Sequence, residues 1–304
     1  MVLSTNSARP FGSVIPAMVT PFTSDGAVDV AAAVNLAKWL VARGCDGVLV
    51  NGTTGESPTT HSPEKAELVA AVVEAVGAQV PVLAGAGSND TKHACRMAAQ
   101  AAEAGADGIL AVTPYYSRPS QAGVVAHLIA VAEAGGLPTM LYDVPARTGV
   151  RISTAAYDDV AAHPLIVATK DATGDVAAAA GLAERTGLIW YSGDDGLLLP
   201  FLAHGGAGVV SVAAHAVSPA FAAAIAAWDA GDTVAALAAF RTAIPAINAI
   251  NSAGMQAVMA KAAAEALGAI PNRVVRAPLM AASDAEAADV RAGLTAAGVG
   301  LSAA

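Results

Sequence analysis

The sequence predicts an α/β fold, a (β/α)8 TIM barrel with a C-terminal helical extension. Eight short runs rich in Val, Ile and Leu alternate with longer, alanine-rich segments of helical spacing. The runs are apolar throughout, which fits strands buried on both faces of a parallel sheet. Eight such βα units favour closure into a barrel over an open doubly wound sheet. Beyond the eighth run the chain reads as helix throughout, an appended layer and not a second catalytic unit.

Strands are predicted in order at residues 14–19, 47–50, 80–84, 108–112, 139–142, 166–170, 189–192 and 208–212. Helices are predicted between them at segments such as 29–43, 62–76, 90–104 and 121–134. The third is punctuated on both sides: Ser88, Asn89 and Asp90 offer capping oxygens and Gly105 supplies a stop. After the last strand, helices are expected at 233–241, 256–267 and 285–296. The chain therefore divides into a barrel catalytic domain, residues 1–230, and a helical extension packed on it, residues 231–304.

Composition narrows the class further. The 304 residues carry a formal charge of −9, with 55% hydrophobic, 13% charged and 4% aromatic residues, and the mean hydropathy is +0.53. This much apolar surface offsets the entropy of ordering the chain, which excludes disorder. The longest uncharged stretches, 205–228 and 242–260, are interrupted by Pro219, Pro245 and polar residues and are largely alanine, so no membrane span is expected. An acidic chain without basic clusters offers no footprint for nucleic acid. The N-terminal residues lack the basic start and apolar core of a secretory signal, and Cys45 and Cys95 form no CxxC pair. A cytoplasmic setting is expected.

In a barrel, chemistry sits where strands end and βα loops begin. There the sequence places Asn51-Gly-Thr-Thr-Gly-Glu-Ser57, Thr113-Pro-Tyr-Tyr116, Tyr142-Asp-Val-Pro-Ala-Arg-Thr-Gly149, Lys170-Asp-Ala-Thr-Gly174 and Ser192-Gly-Asp-Asp195. Lys170 closes an apolar strand, where desolvation would lower its pKa and free the amine to attack a carbonyl; a lysine snorkelling outward or pairing with Asp171 is the plainer alternative. Three of the five tyrosines, Tyr115, Tyr116 and Tyr142, fall at predicted strand ends, where a buried phenol could shuttle protons or simply pack. Thr53 and Thr54, between glycines, suit a small carboxylate or an ordinary turn, and Arg147 suits a second carboxylate or a surface ion pair. Gly85-Ala86-Gly87 lacks the third glycine of a dinucleotide fingerprint, no Walker sequence occurs, and the histidines show no ligand spacing, so no metal is expected.

These motifs, at their spacing and over nearly the whole chain, resemble the dihydrodipicolinate synthase family of pyruvate-dependent lyases. The resemblance implies that Lys170 forms a Schiff base with pyruvate and that Tyr142 transfers protons, linked through Thr53 to a Tyr116 donated by a neighbouring subunit. It implies that Thr54 grips the pyruvate carboxylate, that Arg147 faces the carboxylate of L-aspartate 4-semialdehyde, and that the backbone at Gly193 and Val210 lines the site. No metal or organic cofactor is implied, and the expected assembly is a homotetramer built from two tight dimers. N-acetylneuraminate lyases share the lysine and tyrosine but typically lack the arginine, so Arg147 favours an acid over a sugar. The alternatives are another pyruvate-dependent aldolase acting on a keto-sugar acid and a catalytically silent barrel, against which the intact set Lys170, Tyr142, Thr53 and Tyr116 argues.

Departures from the family pattern are Asp143 where asparagine is frequent, Ala168 where glycine is common, and Thr169 where an aliphatic residue is usual. Thr169 is expected to affect packing below the amine. Relatives inhibited by lysine bind it with acidic side chains that include a glutamate four residues after the position of Asn89. Here that place is His93, and Lys65 stands where some inhibited enzymes carry histidine, so feedback by lysine is expected to be weak or absent.

Overall fold

A computed structural model describes residues 9–251 and 255–302. The first half of the barrel comprises β1 (Val14–Pro16), α1 (Val30–Ala42), β2 (Val48–Val50), α2 (Ser62–Val76), β3 (Val82–Gly85), α3 (Thr91–Glu103), β4 (Gly108–Val112) and α4 (Gln121–Gly135). The second half comprises β5 (Thr139–Asp143), the short α5 (Pro145–Thr148), α6 (Thr154–Ala161), β6 (Ile166–Asp171), α7 (Val176–Thr186), β7 (Ile189–Ser192), α8 (Leu198–Ala203), β8 (Gly208–Ser211) and α9 (Ala214–Asp229). Three further helices follow: α10 (Thr233–Asn251), α11 (Gln256–Ala266) and α12 (Asp284–Ala296).

From β2 to β8 every strand pairs in parallel with the next, and β8 pairs with β1. The ring is completed by a single parallel bridge from Ala17 to Leu49, where the Met18 N–H donates to the Leu49 carbonyl at 2.8 Å. The expected (β/α)8 barrel is thus the observed one, with β1 ending at Pro16, where its pairing with β8 gives way to the single bridge with β2.

Strand alternation sorts the apolar residues into two cores. Ile15, Leu49, Leu83, Leu110, Met140, Ala168 and Val210 fill the barrel. Their neighbours Val14, Val48, Val82, Ile109 and Leu141 face the surrounding helices. Phe11 packs within the inner core and needs Gly108, whose added Cβ would lie 2.6 Å from its ring. The upper ends of β1 and β8 are tied by fully buried His215, whose Nε2 accepts the Val19 N–H at 3.1 Å while Nδ1 faces the Val212 carbonyl at 2.8 Å. Burial pushes this imidazole down to about 4, so it is a neutral structural group.

The extension departs from uniform helix. α10 runs ten residues past its expected end at Arg241 and passes through Pro245. Ala236, Phe240, Ala243, Ala246, Ile247 and Ile250 are buried along it, and this packing against α9 and α12 outweighs the one lost backbone hydrogen bond. By length and composition α10 would match a membrane span; the face just named is buried, while Val234, Leu237 and Ile244 are exposed. Between α11 and α12 the chain is irregular, because Gly268, Pro271 and Pro278 break helical spacing. Thr169 is fully buried, and its hydroxyl has no hydrogen-bond partner among the described residues.

Candidate active site

Alternation also decides which residues enter the barrel mouth. Lys170 follows Ala168 by two and Tyr142 follows Met140 by two, so both share the inward face, and the two are register partners on β6 and β5. The Lys170 amine lies 4.3 Å from the centroid of the Tyr142 ring. Only 5% of Lys170 and 6% of Tyr142 is exposed. Burial pushes the lysine down to about 8, Arg147 adds to the shift, and the carboxylate of Asp195 opposes it. Burial also raises the Tyr142 phenol, opposed by the nearby Arg147, so it holds its proton as a neutral acid.

The outward-facing neighbours anchor these strand ends. Asp143 accepts the Ile152 N–H at 3.2 Å and the Tyr157 hydroxyl at 3.3 Å. Asp171 accepts the Thr173 N–H at 2.7 Å and the Trp190 indole N–H at 2.9 Å. The Tyr157 and Trp190 rings meet at 5.2 Å. Asp171 is therefore engaged away from Lys170, which answers the ion-pair alternative. Buried Asp143 is pushed up to about 7, with Asp171 contributing to the shift, so it carries a proton for much of the time near neutral pH.

Lys170 opens into a narrow crevice with Thr53, Thr54, Tyr142, Arg147, Gly193 and Val212. Three of these residues, Thr53, Tyr142 and Arg147, also line a cavity of about 670 Å³ that reaches outward past Tyr115 and Tyr116. Thr53 and Thr54 sit in a turn closed by the Glu56 N–H donating to the Thr53 carbonyl at 3.1 Å. Gly193 donates its N–H to the Asp171 carbonyl at 2.7 Å, and a Cβ there would lie 2.9 Å from that oxygen. Of the expected residues, Lys170, Tyr142, Thr53, Thr54, Arg147 and Gly193 meet in this crevice. Val210 is fully buried in the inner barrel, and the crevice is lined by Val212, two residues further on and on the same face.

Arg147 is not in a surface ion pair. Its guanidinium donates to Met255 Sδ at 3.2 Å and to Gln256 Oε1 at 2.9 Å, so the start of α11 holds it over the crevice. Gln256 in turn donates to Asn251 at 2.6 Å, and Asn251 donates to Asp195 at 3.2 Å. Asp195, fully desolvated, also takes the Ser211 hydroxyl at 2.5 Å and the Ala213 N–H at 3.0 Å. Nothing in the sequence flags Met255, Gln256 or Asn251, which approach the site only through folding of the extension.

Tyr116 lines the outer cavity and not the crevice. Its side chain is 88% exposed, with the backbone at φ 71°. A left-handed bulky residue costs about 1–3 kcal/mol, a strain typical of functional positions.

Fold and site together define a (β/α)8-barrel enzyme organised around a buried, partly deprotonated lysine. The chain belongs to the dihydrodipicolinate synthetase family, whose model matches residues 10–297. A 4-hydroxy-tetrahydrodipicolinate synthase of Bifidobacterium longum is 52% identical over 292 residues, covering 96% of each chain. Among solved structures, a dihydrodipicolinate synthase from Bacillus anthracis superposes with a TM-score of 0.90 at 38% identity, covering 94% of this chain and 98% of its own. The same enzyme from Cyanidioschyzon merolae, solved with lysine bound, gives 0.90 at 38% identity, covering 95% and 98%.

Proposed function

We propose that this chain is a carbon–carbon bond-forming lyase that condenses pyruvate with L-aspartate 4-semialdehyde to 4-hydroxy-tetrahydrodipicolinate, in the diaminopimelate route to lysine. The observation that carries the reading is the desolvated Lys170 amine facing Tyr142 in one crevice with Thr53, Thr54 and Arg147. The unprotonated amine attacks the keto carbon of pyruvate, and loss of water gives the imine. Tyr142, still protonated, supplies and recovers the proton of the carbinolamine. The Thr54 hydroxyl and the N–H groups of the turn hold the pyruvate carboxylate.

Loss of a methyl proton gives an enamine, which adds to the aldehyde of the second substrate. The amino group of that substrate then attacks the imine carbon, closing the ring and releasing Lys170. The imine is itself the electron sink, so the scheme requires no metal or organic cofactor. Arg147 exchanges its contacts with Met255 and Gln256 for the carboxylate of the semialdehyde, which favours an acid over a sugar aldehyde.

The strained, exposed Tyr116 is suited to complete the proton relay of a neighbouring subunit through Thr53, in a homotetramer of tight dimers working in the cytoplasm. Sedimentation is expected to give a tetramer at assay concentration, and a monomer with full activity would remove this part of the reading.

Weak feedback by lysine is also proposed. The Lys65 ammonium is buried against the Ser57 carbonyl at 2.6 Å and the Thr60 carbonyl at 2.9 Å, and Ser57 lines the outer cavity beside Pro58, Gly87 and Tyr115. Burial brings Lys65 down to about 8, which leaves it mostly charged at neutral pH. A cation thus stands behind that wall, and His93 sits against Arg96 at 3.1 Å where an acid would be needed. A steady-state assay with added lysine is expected to show little loss of rate, and half-inhibition at micromolar lysine would contradict this.

The reaction itself is tested by borohydride reduction in the presence of pyruvate. The expected product is a pyruvate-derived mass on the peptide containing Lys170, with turnover by aspartate semialdehyde and not by sugar aldehydes. An absent adduct, or a preference for sugar aldehydes, defeats the assignment.

A further inference from the structure

The least expected chemistry lies behind the Thr53–Thr54 turn. Lys261 of α11 and Glu56 of the turn form an ion pair at 2.5 Å in which both side chains are fully buried. The same ammonium donates to the Val274 carbonyl at 2.6 Å and lies 3.9 Å from the centroid of the Phe22 ring. The second oxygen of Glu56 accepts the Arg276 N–H at 2.9 Å, so both carboxylate oxygens are held by the C-terminal extension. Arg276 then clamps the loop from outside through the carbonyls of Thr59 at 3.0 Å and Gly26 at 2.8 Å and through Glu64.

Removing two charges from water is costly, and a well-packed apolar pair of similar volume commonly stabilises a fold as much or more. Stability alone is therefore a poor reason for this pair. Its geometry supplies a better one. Glu56 adopts a left-handed backbone at φ 56° and is the last residue of the turn that begins at Thr53. Its carbonyl accepts the N–H groups of Thr59 at 2.9 Å and Thr60 at 3.2 Å, so the whole loop pivots on this residue. A carboxylate held at both oxygens restrains the turn that carries Thr53 and Thr54.

We infer that Lys261 and Glu56 are positioning residues for the first substrate, through which the C-terminal extension sets the place of the Thr53–Thr54 turn and so the grip on the pyruvate carboxylate. The inference rests on the assignment of that turn to pyruvate. It gives the extension a share in the first half-reaction through Lys261 that is separate from its contact with Arg147 through Met255 and Gln256. A displacement of about 1 Å in a positioning group can cost up to a hundredfold in rate, so a small change of reach is enough to test it.

Two full-length variants serve. Glu56→Asp keeps the charge but withdraws the carboxylate by one methylene, and the Glu56→Gln/Lys261→Met double variant removes both charges at similar volume. In either variant that folds, kcat/KM for pyruvate is expected to fall about tenfold or more through a raised KM, with KM for aspartate semialdehyde unchanged. Borohydride trapping at saturating pyruvate should still label the full complement of sites. A folded variant with the wild-type KM for pyruvate overturns the inference, as does failure of both variants to fold, since the pair would then be purely structural. A wild-type protein that traps no pyruvate defeats the site assignment itself, and that outcome is recognisable before any variant is made.

Discussion

The structure depends on the desolvation of one amine. Lys170 ends a strand whose inward face is otherwise apolar, and the barrel leaves it 5% exposed beside a tyrosine ring. An ammonium there is paid for by the rest of the fold, and part of that cost is relieved when the proton leaves. Asp195 limits the effect by favouring the charged form, and Arg147 extends it by opposing that form. The balance places the lysine at about 8, low enough to supply free amine and high enough to keep it basic and nucleophilic.

Around that amine, each support comes from a different part of the chain. The strand ends are fastened outside the barrel by Asp143 and Asp171 with Tyr157 and Trp190. The start of α11 holds Arg147, and Asn251 at the end of α10 reaches Asp195 behind the lysine. Lys261, further along α11, holds the turn that carries Thr53 and Thr54. The extension thus contacts three separate parts of the rim, which a barrel alone would leave on independent loops.

The barrel was readable because its strands are short apolar runs, each closed by glycine or polar residues, and two of them, at 108–112 and 189–192, have the expected bounds. Lys170, Tyr142 and Arg147 stood out because lysine, tyrosine and arginine are scarce in this chain. A strand period of two fixes the face but not the height, so the place of Val212 in the crevice, two residues beyond Val210, carries no sequence signal. The helix expected to end at Arg241 runs on through Pro245 to Asn251, because its packed face outweighs the lost hydrogen bond. The pairing of Glu56 with Lys261 spans 205 residues and carries no local signal, since nothing in the alanine-rich surroundings of Lys261 distinguishes it from a surface lysine. Family resemblance supplied roles for individual residues, while their supports became visible only in three dimensions.

The central claim is that burial on β6 lowers the Lys170 pKa far enough to supply a working fraction of free amine near neutral pH. Its most direct test is the titration of that one amine, followed by NMR of the lysine-labelled protein with Lys170→Met identifying the resonance. The account predicts a midpoint of about 8, with free amine accumulating as pH rises through that value. A midpoint at the ordinary lysine value of about 10.5 would contradict it.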